Sequence, residues 1–204
     1  MLKSTARTKL LDAAIETVRA QGYAATSVDD LCRKAGVTKG AFFHHFESKD
    51  ALAVAATNHW SETTGAMFAT AAYHAPEDPL DRVLAYIDFR REILRGTPAE
   101  FSCFAGTTVQ ETFATNDSIR AACEASIFGH AATLADDIAA AKRKYKAKGD
   151  WTPMSLALHT QAVLQGAFIL AKASDGAAVA VDSVGHLRRY IELLFNRSTK
   201  EKTK

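Results

Sequence analysis

An all-α fold follows from three features of the sequence. Alternating apolar and polar runs of strand length are missing, and no Asn-Gly or Asp-Gly turn joins two such runs. Apolar residues recur instead every three or four positions, as in Leu10, Leu11, Ala14, Ile15 and Val18. Pro79, Pro98 and Pro153 each follow an Asp or Thr, so they sit where a helix begins and a missing N–H costs nothing.

Taken in order, these signals predict about nine helices. The first, over 4–21, turns the apolar face just named toward a core and sets Arg7, Asp12, Glu16 and Arg19 mostly away from it. The second, 27–35, stops at Ala35-Gly36-Val37, where Gly36 supplies the left-handed conformation that ends a helix. Thr38 caps the third, 38–45, and Ser48 the fourth, 48–71. Asp78-Pro79 opens 79–95, and Thr97-Pro98-Ala99-Glu100 reads as a capping box for 98–114. A long helix over 117–146 follows, then 153–174 behind Thr152-Pro153, then 183–196. The tail 197–204 has no apolar residue and is expected to be disordered.

The 204 residues fit one domain or two small ones. Short helices with tight turns fill the first fifty, and long Ala-rich helices the rest. The expected division is therefore 1–47, 48–196 and the tail 197–204, with no Gly/Ser linker between the first two. Hydrophobic residues at 48% and charged ones at 24% exclude a disordered or collagenous chain. A net charge of +2 excludes a polybasic nucleic-acid coat, so any nucleic-acid binding must come from a local face. Cys32, Cys103 and Cys123 form no CxxC pair, which argues against a disulfide framework or a zinc site and for a reducing compartment. Charges interrupt the first twenty residues and apolar runs such as 51–56 are short. A soluble cytoplasmic protein without a membrane segment is expected. No GxSxG, P-loop, GxGxxG after a strand or HExxH occurs, so an enzyme is not expected, nor is a cofactor.

The second and third helices, joined by a short turn containing Gly36, have the spacing of a helix-turn-helix. On the third, Phe42 and Phe46 face inward with Ala41 and His45 beside them. Thr38, Lys39, Gly40, Phe43 and His44 share the opposite side. That stripe offers a hydroxyl, an ammonium, close approach, an apolar plate and an imidazole, a surface suited to a major groove. Lys49, beside the Ser48 cap, would bring an ammonium and a helix N-terminus to a phosphate. His44 and His45 point about 100° apart on a helix, with no third ligand at a local spacing, so no metal is expected there.

Thr17-Val18, Gly22 to Val28, Ala35 to Phe46, Ser48-Lys49 and Leu52 together resemble the DNA-binding region of the TetR family of bacterial transcriptional regulators. The resemblance covers about the first fifty-five residues; beyond them only length and the run of helices match. It implies an N-terminal three-helix DNA-binding domain, a larger helical ligand-binding and dimerisation domain, and a homodimeric repressor of a palindromic operator. It places DNA contacts on Thr26, Ser27, Thr38, Lys39, Gly40, Phe43, His44 and Lys49. Phe43 departs from the family's usual Tyr, and without the hydroxyl it can pack on sugar or a thymine methyl but cannot bond a phosphate.

In the middle helices the family implies a pocket for an unknown small-molecule inducer, for which Trp60, Phe68, Tyr86, Phe89, Cys103, Phe104, Thr107 and Phe128 are candidates. His59, Arg90, Gln110, Glu111 and His130 could orient the ligand; ordinary core packing is the competing reading of the aromatics. The stretch around Cys103 resembles a Gly-Cys-x-x-Gly segment found in a family branch that includes repressors responding to electrophiles, which makes a thiol sensor the alternative function. Two apolar stripes, Ala162, Val163, Gly166, Ala167, Leu170 and Leu187, Tyr190, Ile191, Leu194, Phe195, would form a two-fold four-helix dimer interface.

Overall fold

The computed structural model describes residues 5–197, and among them ten α-helices and one 3-10 turn occur without a strand. They are α1 (Ala6–Gln21), α2 (Val28–Ala35), α3 (Lys39–His45), α4 (Lys49–Ala69), a 3-10 turn (Ala72–His74), α5 (Pro79–Glu92), α6 (Pro98–Phe101), α7 (Phe104–Thr112), α8 (Asp117–Lys144), α9 (Pro153–Ser174) and α10 (Ala178–Leu194). The all-α class and most of the starts agree with the sequence.

The extra helix comes from a break in the expected helix 98–114. Cys103 is extended (φ −78°, ψ 125°), and its Sγ accepts the Gly106 N–H at 3.3 Å, so it caps α7 instead of lying inside a helix. The preceding carbonyl, of Ser102, accepts Arg19 Nε from α1 at 2.8 Å. Neither Pro nor Gly marks this break, which is why the local pattern runs through it. At α10 the start lies at Ala178 rather than 183, because Ala177 provides no side-chain cap and leaves no signal to read. In the tail, Arg197 pairs with Asp81, and the rest of the expected disordered segment lies outside the described residues.

The residues form two compact units. The first comprises the described residues up to Ala69 with Ser102–Ile127; the second comprises Thr70–Phe101 with the described residues from Phe128 on. Thus α4, α7 and the start of α8 belong with α1–α3. The first core joins Leu10, Leu11, Val18, Leu31, Phe42 and Leu52 of the N-terminal helices to Phe104, Ile119 and Cys123. Burial pushes the Cys123 thiol up to about 11, with a weaker opposing hydrogen bond from Thr57, so this sulfur is an inert filler.

In the second unit α5, α9 and α10 pack together. Asp78 caps α5 by accepting from Leu80 N and Asp81 N at 2.8 and 3.2 Å. Burial alone would raise its carboxyl, but Lys144, Tyr145 and those N–H groups outweigh it and hold the pKa down to about 2. Arg82 donates to Asp137 at 2.6 and 2.8 Å. An 18-residue window of α9 has mean hydropathy 1.3, and by length and composition this helix could cross a membrane, unlike the short runs that the sequence offers at first sight. Its Leu156, Leu164, Ala167 and Phe168 are buried in the unit and it packs on α10, the role of a core helix.

The expected dimer stripes need correction. Ala167, Leu187, Ile191 and Phe195 are buried within the unit. The large apolar side chains left exposed on these two helices are Ile169, Leu170, Tyr190 and Leu193, the last 76% exposed. A helix has one inward stripe, and a second apolar stripe beside it is what remains for another surface.

Candidate nucleic-acid interface

The helix-turn-helix is built from caps. Ser27 and Asp30 form a reciprocal capping box at the start of α2. At its end Gly36 adopts φ 64°, ψ 39°, and the Val37 N–H reaches back to the Cys32 carbonyl at 3.0 Å. This left-handed turn is open to glycine at no steric cost and redirects the chain into α3. Thr38 Oγ1 then accepts the Ala41 N–H at 3.2 Å. Phe42, fully buried, anchors the inner side of α3, while Phe43, 53% exposed, stands edge-on to it with centroids 5.1 Å apart.

Thr38, Lys39, Gly40, Phe43 and His44 are all exposed, so the stripe expected from the sequence is presented as one surface. Lys39 Nζ is paired with Asp29 of α2 at 3.0 Å, an exposed ion pair that a phosphate could displace. The other three candidates are engaged elsewhere. Thr26 is 1% exposed, its hydroxyl donates to the Gly22 carbonyl at 2.7 Å, and its N–H goes to Tyr23 O. Ser27 Oγ both donates to Asp30 Oδ2 at 2.6 Å and accepts Asp30 N–H. Lys49 Nζ donates to the carbonyls of Tyr23 and Thr26 at 3.1 and 2.9 Å and lies 4.2 Å from the Tyr23 ring centroid. Thr26 and Lys49 thus turn their polar atoms inward to brace the α1–α2 turn, whereas Ser27 stays exposed as the cap of α2. The long Lys49 stem folds back because its ammonium at a helix N-terminus faces a like dipole, and two carbonyls solvate it better.

Other braces have no signal in the local sequence. Glu111 of α7 accepts the N–H groups of Tyr23 and Ala24 at 3.1 and 2.7 Å. Tyr23 Oη donates to Asp50, which also accepts Asn116 Nδ2 at 2.8 Å. Burial, then the Asp50 bond, raises the Tyr23 phenol well above its ordinary pKa. Only the folded chain brings residues 27 to 88 positions apart into these contacts.

The ligand candidates divide between the units. In the first, Trp60 lies between the Arg19 guanidinium (4.9 Å) and Phe104 (6.5 Å), Phe68 and Phe104 are buried, Cys103 is the α7 cap, and Thr107 is half-buried. In the second, Tyr86 is buried, Phe89 stacks at 5.8 Å on Tyr73, and Phe128 is 47% exposed. Among the polar candidates, His59 bonds Asp12 at 3.0 Å, Gln110 its own helix at Gly106 O, and Glu111 the α1–α2 turn. Arg90 and His130 meet at 3.5 Å.

Residues 10–56 match the family described as bacterial regulatory proteins, tetR family. The HTH-type transcriptional regulator SrpR of Pseudomonas putida is 46% identical over 43 residues, 21% of this chain and 20% of that protein. The HTH-type transcriptional regulator LmrA of Bacillus subtilis is 28% identical over 125 residues, 57% of this chain and 62% of that one. The chain thus spans from about a fifth to about three fifths of these relatives' length. A TetR transcriptional regulator structure from Chloroflexus aurantiacus superposes with a TM-score of 0.77 at 26% identity, covering 91% of this chain and 93% of that one.

Proposed function

We propose that this chain, a transcriptional regulator of the TetR family, is a ligand-responsive repressor that binds a palindromic operator as a homodimer and leaves it when a small-molecule inducer binds. The observation that carries this reading is the exposed face of α3. Thr38, whose hydroxyl hydrogen is left over after its oxygen caps the helix, and Lys39, released from Asp29, would take phosphate or base edges. Gly40 lets the helix approach closely, while Phe43 and His44 supply apolar and hydrogen-bonding contacts to the bases.

Dimerisation through α9 and α10 is supported by the exposed Ile169, Leu170, Tyr190 and Leu193. Two-fold symmetry would then set two α3 helices on successive major grooves, about 34–36 Å apart. The protein would work in the cytoplasm, where its DNA lies. The alternative of a Cys103 sensor has less support, because that sulfur is half-buried and already accepts a helix N–H.

Selection of the full chain against a random duplex pool tests the reading. Enrichment of a palindrome bound by two protomers in sedimentation is the expected result. Binding with no symmetric consensus would overturn it.

A further inference from the structure

Within the second unit, α5, α8 and α9 bring four polar side chains to one place. Gln161, 6% exposed, donates from Nε2 to Tyr86 Oη at 3.1 Å, and Tyr86 Oη lies 2.9 Å from His130 Nε2. A guanidinium can only donate, so the His130 Nε2 that faces Arg90 serves as an acceptor with its proton on Nδ1, and the Tyr86 hydroxyl can donate to it as well. Arg90, four residues from Tyr86 and so on the same side of α5, brings Nη1 to 3.5 Å from the same nitrogen. Burial, then the Arg90 charge, holds the His130 pKa down to about 4, so the imidazole is neutral at pH 7. The cluster therefore carries a positive charge contributed by Arg90 and is rich in N–H donors.

Its surroundings are aromatic. Phe168 presents its ring to the Arg90 guanidinium at 5.9 Å, and Tyr73 stands edge-on to Tyr86 at 5.3 Å. A planar guanidinium fork matches the two oxygens of a carboxylate, and a low-dielectric setting strengthens that pairing. We propose that this cluster binds a small organic carboxylate, its charged end on Arg90 and its apolar body against Phe168 and Tyr73, and that the inducer belongs to this class. The second clause rests on the reading that the protein is ligand-responsive.

Calorimetric titration of the full chain with benzoate, phenylacetate, hexanoate and butyrate, each beside its primary amide, is the test. At least one acid should bind at least tenfold more tightly than its amide. Gln161→Glu, which puts a carboxylate of the protein's own into the cluster, should abolish that binding, and Arg90→Gln should weaken it at least tenfold, with folding of each checked by circular dichroism. No binding by any acid, equal binding of acid and amide, or unchanged affinity in whichever of these variants folds overturns the site. Release of a selected operator by neutral compounds alone would overturn the carboxylate class and leave ligand response intact. Acids that bind with the expected preference but leave operator affinity unchanged would sink the induction reading while the anion site stands.

Discussion

Lys49→Met separates a brace from a phosphate contact. The substitution keeps most of the apolar stem and removes an ammonium that donates to two carbonyls, Tyr23 O at 3.1 Å and Thr26 O at 2.9 Å, and lies over the Tyr23 ring. Hydrogen bonds to a charged group contribute about 1.5–3 kcal/mol each, and the low end applies because water reaches this partly exposed site. The ring contact adds about 0.5 kcal/mol at such a position. Against this, removing a cation from the first turn of α4 relieves an unfavourable helix dipole by about 0.3–1 kcal/mol. With water replacing part of the lost bonding, the net loss is about 2 kcal/mol, or about 4–8 °C in melting temperature for a chain of this size. Operator affinity should fall as the α1–α2 turn loosens, but the slope of log affinity against log salt should hold. A phosphate contact predicts the reverse, a slope smaller by about 0.9 per lost contact with an unchanged melt. Thermal melts beside binding at four salt concentrations decide it; an unchanged melting temperature with a flattened slope would show the reasoning to be wrong.

Lys39→Ala should weaken operator binding, flatten the salt slope and relax base preference, and Asp29→Asn, which frees Lys39 from an exposed pair worth about 0.2–1 kcal/mol, should tighten binding by up to about fivefold. Fluorescence anisotropy with the selected duplex reads both. Thr26→Val keeps the shape and leaves the Gly22 carbonyl without its 2.7 Å partner, so it should cost about 1–2 kcal/mol in urea unfolding with no change in salt slope. His130 has its folded pKa depressed to about 4 against an unfolded value near 6.5, so the unfolded chain binds the extra proton between them. Stability from this group is present above about pH 6.5 and lost as pH falls toward 4, by up to about 3 kcal/mol, and His130→Gln should flatten that part of the urea-midpoint profile. Leu193→Glu, at a position 76% exposed, should leave the protomer folded and shift sedimentation from dimer to monomer.

The helices and the recognition turn were legible because their causes are local. A cap at Thr38, a left-handed glycine at 36 and an apolar residue every third or fourth position act within one or two turns of chain, so a short window contains the physics that decides them. The exposed stripe of α3 was legible for the same reason. Its orientation follows from Phe42 and Phe46 needing cover. Partners drawn from distant segments were not legible. Glu111 braces a turn formed by Gly22 to Thr26, Asn116 holds the Asp50 that meets Tyr23, and nothing near either residue says so. Cys103 looks helical by pattern, yet it becomes a cap in a segment where Arg19 of α1 takes the Ser102 carbonyl. Lys49 and Thr26 have the residue types of DNA contacts, and the folded chain turns their polar atoms inward. A backbone pattern is set by near neighbours, whereas a long or polar side chain goes wherever the fold offers the best hydrogen-bond partner. That choice exists only once the helices have packed.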